Sequence, residues 1–286
     1  MNIIIWGAGT DGHRLFDILQ FDHNVRGFIE SNPDVQGKEA LGVPIFSPQE
    51  GLSQDFDYVI VANAYGEEII PLLEKEYGVP SDKILDFIAQ PMALYHTFFG
   101  KVPDSRLDTL AAIMRIIRMR NLPGATAELG VYKGDFAAYI NRAFPDRKLY
   151  LFDTFSGFDA RDVDRDAENA FSRSQERDYF HADIDLILQK MRRPERCVIK
   201  KGYFPESLDG LEDRFCFVSL DADLYAPILS GLAYFYPRLT QGGYILVHDY
   251  NNPKFPGASA AVHEYCMAND APFIPLECCG SALVLK

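Results

Sequence analysis

The chain has 286 residues, 48% hydrophobic and 13% aromatic, enough to bury a sizeable core and better matched in length to two domains than to one. Its formal net charge of −13 argues against a nucleic-acid phosphate track or an anionic membrane surface as a partner, and weakly favours a cation such as Mg²⁺. No apolar run reaches membrane-spanning length, the first residues lead into a strand and not a signal peptide, and five cysteines without metal spacing suit a reducing compartment; a cytoplasmic protein is expected.

Asn2–Trp6 is an apolar strand, and the G-A-G-T-D-G that follows places Gly7, Gly9 and Gly12 in the spacing G-x-G-x-x-G before the helical run Leu15, Phe16, Ile18, Leu19. The next strand, Val25–Ile29, ends at Glu30, close to the spacing of an acid that holds a ribose. Strands at Val43–Phe46, Tyr58–Ala62 and Ile84–Phe87 and a helix near Glu67–Tyr77 complete a small Rossmann-like unit over residues 1–90. Its glycines and Glu30 make it a candidate second nucleotide site, for NAD or a nucleotide-sugar. The unit shows no catalytic Tyr-Lys pair, so the preferred reading is a retained fold used for docking or dimerisation.

Residues 91–120 read as a linker and an amphipathic helix. Pro91, Gly100 and Pro103 punctuate the first part, and Tyr95, Phe98 and Phe99 there are expected to be exposed, which makes a homodimer reasonable. Leu107, Leu110, Met114 and Ile117 then share one helical face, with arginines late in the run.

From residue 121 to 286, strand and helix patterns alternate, as a parallel sheet requires. Strands are expected at Thr126–Leu129, Lys148–Phe152, Cys197–Lys200, Phe215–Leu220 and Tyr244–Val247, then a hairpin of Phe273–Leu276 and Ala282–Leu285. The first ends in A-E-L-G-V-Y-K-G-D-F, where Glu128 precedes a turn through Gly130, and Gly134 opens a helix and lets a ligand approach. The second ends at Asp153, followed by T-F-S-G-F, with Thr154 first. Acids at two adjacent strand tips describe a nucleoside pocket without a phosphate grip, as S-adenosylmethionine (SAM) requires. Between the second and third strands, Asp159–Asp178 is highly charged with little apolar periodicity, and reads as a solvated loop or a lid.

Two further strands end in acids: Phe217–Tyr225 reads F-V-S-L-D-A-D-L-Y, with Asp221 and Asp223, and Tyr244–Asn252 reads Y-I-L-V-H-D-Y-N-N, with His248 and Asp249. Oxygen ligands from two neighbouring tips, completed by water, suit Mg²⁺; helix capping explains either acid alone but not both tips.

Together with G-Y-F-P-E-S, which Gly202 opens, and C-G-S-A, these segments resemble the macrocin O-methyltransferase family over roughly Pro123 to Lys286. The resemblance implies a class I SAM-dependent methyltransferase fold, an α/β doubly wound sheet with a terminal antiparallel hairpin. It implies cofactor binding by Glu128, Gly130 and Asp153, with Gly134, Thr154 and Gly202 alongside, and Mg²⁺ near Asp221 and Asp249. It makes Asp223 a candidate base, with His181 as an alternative. Members often carry two consecutive acids where this chain has His248-Asp249, so water or His248 stands in for a third carboxylate. The expected reaction is methylation of a hydroxyl on a sugar or glycosylated small molecule. The rivals are an NAD-dependent nucleotide-sugar oxidoreductase and a non-catalytic scaffold.

Overall fold

Ile3, Ile4 and Ile5 are all fully buried, although successive side chains of a strand point to opposite faces. Their sheet must be covered on both sides, the arrangement that parallel strands with crossover helices produce. The computed structural model describes residues 1–100, 102–180, 183–208 and 210–286, and divides the chain into two units, Met1–Ala111 and Ala112–Lys286.

The first unit runs β1 (Asn2–Trp6), α1 (Thr10–Leu19), β2 (Asn24–Ile29), β3 (Glu39–Ala40), β4 (Val43–Phe46), α2 (Pro48–Leu52), β5 (Tyr58–Val61), α3 (Gly66–Lys75), β6 (Ile84–Asp86) and α4 (Pro91–Phe99). The sheet order is β3-β4-β2-β1-β5-β6, parallel except for the short β3. Ile3 and Ile5 join Leu15, Phe16, Leu94 and Phe98 on one face, while Ile4 and Trp6 join Val59, Val61 and Leu73 on the other.

Helix α4 corrects the expected linker. Pro91 sits in its first turn and Gly100, at φ 66°, is its left-handed C-cap, so the residues that look like loop punctuation are the start and stop of a helix. Leu94 and Phe98 are buried in the first unit's core, and Tyr95 and Phe99 pack against it. The aromatic residues expected on the surface are thus core contacts.

Helix α5 (Leu107–Met119) spans the division between units, and Leu107, Leu110, Met114 and Ile117 are at most 3% exposed, the face its periodicity indicates. The second unit continues with β7 (Ala125–Leu129), α6 (Asp135–Ala143), β8 (Leu149–Asp153), α7 (Ala160–Glu168), α8 (Ile184–Gln189), β9 (Cys197–Lys201), β10 (Phe215–Leu220), α9 (Tyr225–Arg238), β11 (Leu239–Val247), α10 (Pro256–Ala268), β12 (Phe273–Leu276) and β13 (Ser281–Leu285). Its sheet order is β12-β13-β11-β10-β7-β8-β9, and β13 alone runs against the other strands. β7 lies between β8, the next strand in sequence, and β10, so chain direction across the sheet reverses at β7 and opens a crevice at its C-terminal tip.

The charged stretch after Asp159 is also ordered differently from a solvated loop. Helix α7 is capped by the Asp159 side chain, which accepts from Arg161 N, and it buries two acids. Tyr203 OH donates to Asp162 Oδ1 at 2.8 Å, and Tyr225 N, at the start of α9, donates to Asp166 Oδ1 at 3.1 Å. Polar anchors replace the missing apolar face, so hydrophobic periodicity does not show the helix.

No helix of the described residues is long and apolar enough to cross a membrane. The five cysteines are free thiols, and burial pushes Cys197, Cys216 and Cys266 up to about 11, leaving them poor nucleophiles at neutral pH.

Candidate active site

Four parallel strands, β8, β7, β10 and β11, end side by side, and each end carries a non-glycine residue in the left-handed region: Phe155 (φ 52°), Tyr132 (48°), Asp223 (58°) and Asp249 (57°). Such backbone is costly for residues with a Cβ and tends to gather at functional sites. The strands stop abruptly because these residues turn the chain away; Phe155 is buried at 2% exposure, while Asp223 and Asp249 place carboxylates at the tips of β10 and β11.

At β7, Gly130 N donates to Phe152 O at 2.9 Å and Asp221 N donates to Leu129 O at 2.8 Å, which ties three tips together. A Cβ on Gly130 would stand 2.1 Å from Asp221 O, and its φ is +86°, so this position needs glycine twice over. Gly134 differs from its expected role. It has φ +76° at the N-cap of α6, but a Cβ there would meet Ile187 Cγ2 at 2.6 Å, so the space is filled by helix α8 and not left for a ligand.

Asp153 organises the turn. Its Oδ2 accepts from Val131 N (2.7 Å) and Tyr132 N (2.9 Å), and its Oδ1 from Phe155 N (2.7 Å). Thr154 Oγ1 also lies 3.5 Å from Oδ1. Glu128 is 1% exposed within β7, opposite Leu151 and Ser219 in the neighbouring strands. Thr154 turns inward, donating to Gly157 O at 2.6 Å, and Gly202, at φ +137°, donates to Asp153 O at 3.0 Å; both shape the β8 tip. Two carboxylates thus stand at neighbouring strand tips, a donor set whose chemistry suits a diol and a cationic ligand.

The acids of β10 and β11 converge. His248 Nδ1 lies 2.9 Å from Asp221 Oδ1 and 2.9 Å from Asp249 Oδ2, and one ligand atom from each residue falls within 4.8 Å of the others. Burial pushes Asp249 up, but the hydrogen bond and charge of His248, with a 2.6 Å bond from Asn252 Nδ2, outweigh it and hold the carboxyl below its ordinary value. Asp223 goes the other way. Desolvation first, then the charges of Asp221 and Asp249, push it well above the usual carboxylate range against the opposing charge of His248. Adjacent acids at these tips are thus pushed to divergent affinities for protons.

Sequence reasoning names Asp221, Asp223, His248 and Asp249, and the fold brings them together; His181 lies outside the described residues. It misses Asn252, although that residue stands within H-D-Y-N-N. It also misses Tyr132, Tyr179 and Lys254, which cross the edge. The ring centroids of Tyr132 and Tyr179 are 5.4 Å apart, Phe158 meets Tyr179 at 5.3 Å, and Lys254 Nζ donates to Tyr179 OH at 3.2 Å. Tyr179 and Lys254 are far apart in sequence, and no spacing rule links them.

A seven-stranded sheet with its switch point at β7 and a lone antiparallel β13 is the class I methyltransferase fold, and a solved structure agrees. The O-methyltransferase NovP superimposes with a TM-score of 0.54 at 20% identity, over 65% of this chain and 81% of that one. The family described as Macrocin-O-methyltransferase (TylF) matches residues 87–277, and the chain belongs to that family. It is a SAM-dependent methyltransferase. Among curated relatives, the mycinamicin III 3''-O-methyltransferase of Micromonospora griseorubida is 27% identical over 183 residues, covering 59% of this chain and 70% of the relative. The 8-demethyl-8-(2,3-dimethoxy-alpha-L-rhamnosyl)-tetracenomycin-C 4'-O-methyltransferase of Streptomyces olivaceus is 26% identical over 181 residues, 59% of this chain and 67% of the relative. Residues 1–85 match a separate family described as C2185-like, N-terminal.

Proposed function

We propose that this chain methylates a hydroxyl of a sugar or glycosylated small molecule, with Glu128 and Asp153 holding SAM and with Asp221 and Asp249 holding Mg²⁺. The observation that carries the reading is the meeting of Asp221, His248 and Asp249 at two strand tips beside Asp223. The relatives whose names specify 3''- and 4'-hydroxyl positions support a sugar acceptor.

SAM supplies an electrophilic methyl group, and a bound Mg²⁺ lowers the pKa of a hydroxyl brought to it. The protein's residues do the rest. Asp153 takes the ribose diol while keeping the Val131 and Tyr132 amides in the turn, which fixes where the methyl group points. Asp221 and Asp249 provide the oxygen donors Mg²⁺ prefers, and His248, held between them, is the nitrogen alternative to the missing acid. Asp223, two residues beyond Asp221 at the same strand tip, takes the proton from the acceptor hydroxyl. Tyr132, Tyr179 and Lys254, in contact with one another, are candidates to meet the acceptor.

The test has two parts. Calorimetry should show saturable SAM binding, weakened at least tenfold by Glu128→Ala or Asp153→Ala. With a panel of deoxysugar acceptors, turnover should vanish in a chelator and return with Mg²⁺. A folded sample that does not bind SAM would sink the cofactor assignment, and full turnover in the chelator would return Asp221 and Asp249 to structural acids.

A further inference from the structure

Registered partners in neighbouring strands point to the same side of a sheet, so one face can be read across its strands rung by rung. One rung of the second unit's sheet is Leu149 of β8, Thr126 of β7, Phe217 of β10 and Tyr244 of β11. The next on that face, nearer the tips, is Leu151, Glu128, Ser219 and Leu246, continued by Leu283 of β13. Gly130 and Asp221 follow two residues beyond Glu128 and Ser219, at the turns that border the crevice. Glu128 and Ser219 are therefore polar neighbours between leucines, on the rung directly below the crevice.

Ser219 is 0% exposed, and its Oγ has no hydrogen-bond partner among the described residues. The sheet does not force this state on a hydroxyl. Thr126, on the same face one rung back, donates from Oγ1 to Lys148 O at 3.1 Å. A buried hydroxyl without a partner costs stability, and alanine would fill the same place without that cost. Size alone therefore does not explain a serine here. Ser174 and Ser207 share the lack of a partner, but both lie outside the sheet. Ser219 is the one that stands beside the acid assigned to the cofactor.

We propose that Ser219 is a further cofactor-binding residue, whose hydroxyl accepts a hydrogen bond from the ammonium of SAM's methionine portion beside the Glu128 carboxylate. The proposal rests on the reading that Glu128 and Asp153 hold SAM. With Asp153 given to the ribose diol at the β8 tip, the acid on β7 meets the cationic part of the ligand. SAM has two cationic centres, the sulfonium and the ammonium, and only the ammonium has N–H groups to donate. A carboxylate attracts a cation from many directions. A second acceptor on the next strand fixes the direction of the ammonium, and a hydrogen bond to a charged group is stronger than one between neutral groups. The cost of the buried hydroxyl in the ligand-free chain is thereby recovered on binding.

The experiment compares the full chain with its Ser219→Ala variant by calorimetry, in a chelator so that no metal contributes. Three ligands are titrated: SAM, its demethylated product S-adenosylhomocysteine, and 5′-methylthioadenosine, which keeps the nucleoside and the thioether but has no ammonium. Ser219→Ala should weaken SAM and S-adenosylhomocysteine by about tenfold or more, while 5′-methylthioadenosine binds both chains alike. Thermal unfolding without ligand should show the variant at least as stable as the unaltered chain, since it removes a buried hydroxyl that has no partner. A hydroxyl with a purely structural role predicts the reverse, a lower midpoint with unchanged SAM affinity. Absence of SAM binding by the unaltered chain would overturn the assignment of Glu128 and Asp153, and this proposal with it. If the unaltered chain binds SAM, the role of Ser219 is overturned by equal affinity in the variant, or by a loss of 5′-methylthioadenosine as large as that of S-adenosylhomocysteine.

Discussion

At the tip of β1 the chain turns through Gly7, and the neighbouring tip across β5 carries Ala62 and Asn63. At the tip of β7 it turns through Gly130, and the neighbouring tip across β10 carries Asp221 and Asp223. The backbone hydrogen bonds are matched in kind, but the strain is not. Among the described residues, the second unit has four left-handed non-glycine residues at its strand tips, while the first uses glycine at its turn and has only Leu41 in that region, in the β3–β4 hairpin. An edge that must aim carboxylates at one point accepts the strained backbone that places them. The fold supplies the crevice, and the few residues at its rim decide between binding and reaction.

The comparison breaks first at Asp221. Replacing it by asparagine keeps the shape of the β10 tip but gives it the kind of side chain that Asn63 provides beside β5. Turnover should fall by roughly 10²-fold or more, while SAM affinity measured by calorimetry changes little. Near-normal turnover would show that the acids of the second edge are caps and that the two edges do not differ in chemistry.

The next effect is on stability and sharpens the distinction between units. Gly12→Ala places a Cβ 1.8 Å from Gly7 O, and overpacking of this kind costs about 1–3 kcal/mol. The loss should appear in unfolding of the first unit, followed by its only tryptophan, Trp6, with SAM binding retained. Gly130→Ala, with its Cβ 2.1 Å from Asp221 O and a φ of +86°, should instead remove SAM binding. If both variants behaved alike in both measurements, the units would not be separable.

A pH-dependent effect of similar size lies behind the second edge, at helix α7. Burial raises the Asp162 carboxyl from an ordinary 3.8 to about 6, against the opposing hydrogen bond from Tyr203. The folded state therefore holds this proton more tightly than the unfolded chain. The stability it contributes is full below pH 3.8 and is lost as pH rises through about 6. At ~1.4 kcal/mol per pH unit of that rise, ionising the buried group at neutral pH costs up to roughly 3 kcal/mol. Asp162→Asn keeps an acceptor for Tyr203 OH without the charge. It should raise the thermal midpoint at pH 7 and flatten the dependence between pH 4 and 6. An unchanged slope would mean that Asp162 is solvated in the folded protein.

Most of the strands and the acids at their tips are legible in the sequence because each announces itself locally. An apolar run ending in Glu30, Asp153, Asp221 or Asp249 is a strand with an acid at its tip, and Gly7 and Gly130 mark the turns. Local patterns are weaker where a residue's partner is remote. Pro91 and Gly100 suit a loop as well as a helix until Leu94 and Phe98 find the first unit's core. Helix α7 has no apolar face to read, since its buried side is Asp162 and Asp166, satisfied by Tyr203 and Tyr225 from elsewhere in the chain.

The sequence by itself determined most of the strands and which carboxylates stand at their ends, because side-chain periodicity and turn chemistry act over a few residues. The tertiary structure alone decided which tips are neighbours, that His248 lies between Asp221 and Asp249, and that Ile187 fills the space beside Gly134. It also separated Gly9 from Gly7 and Gly12, which look alike as letters. Whether a missing Cβ leaves room for a turn, a helix or a ligand depends on which atoms the folded chain brings within 4 Å of it.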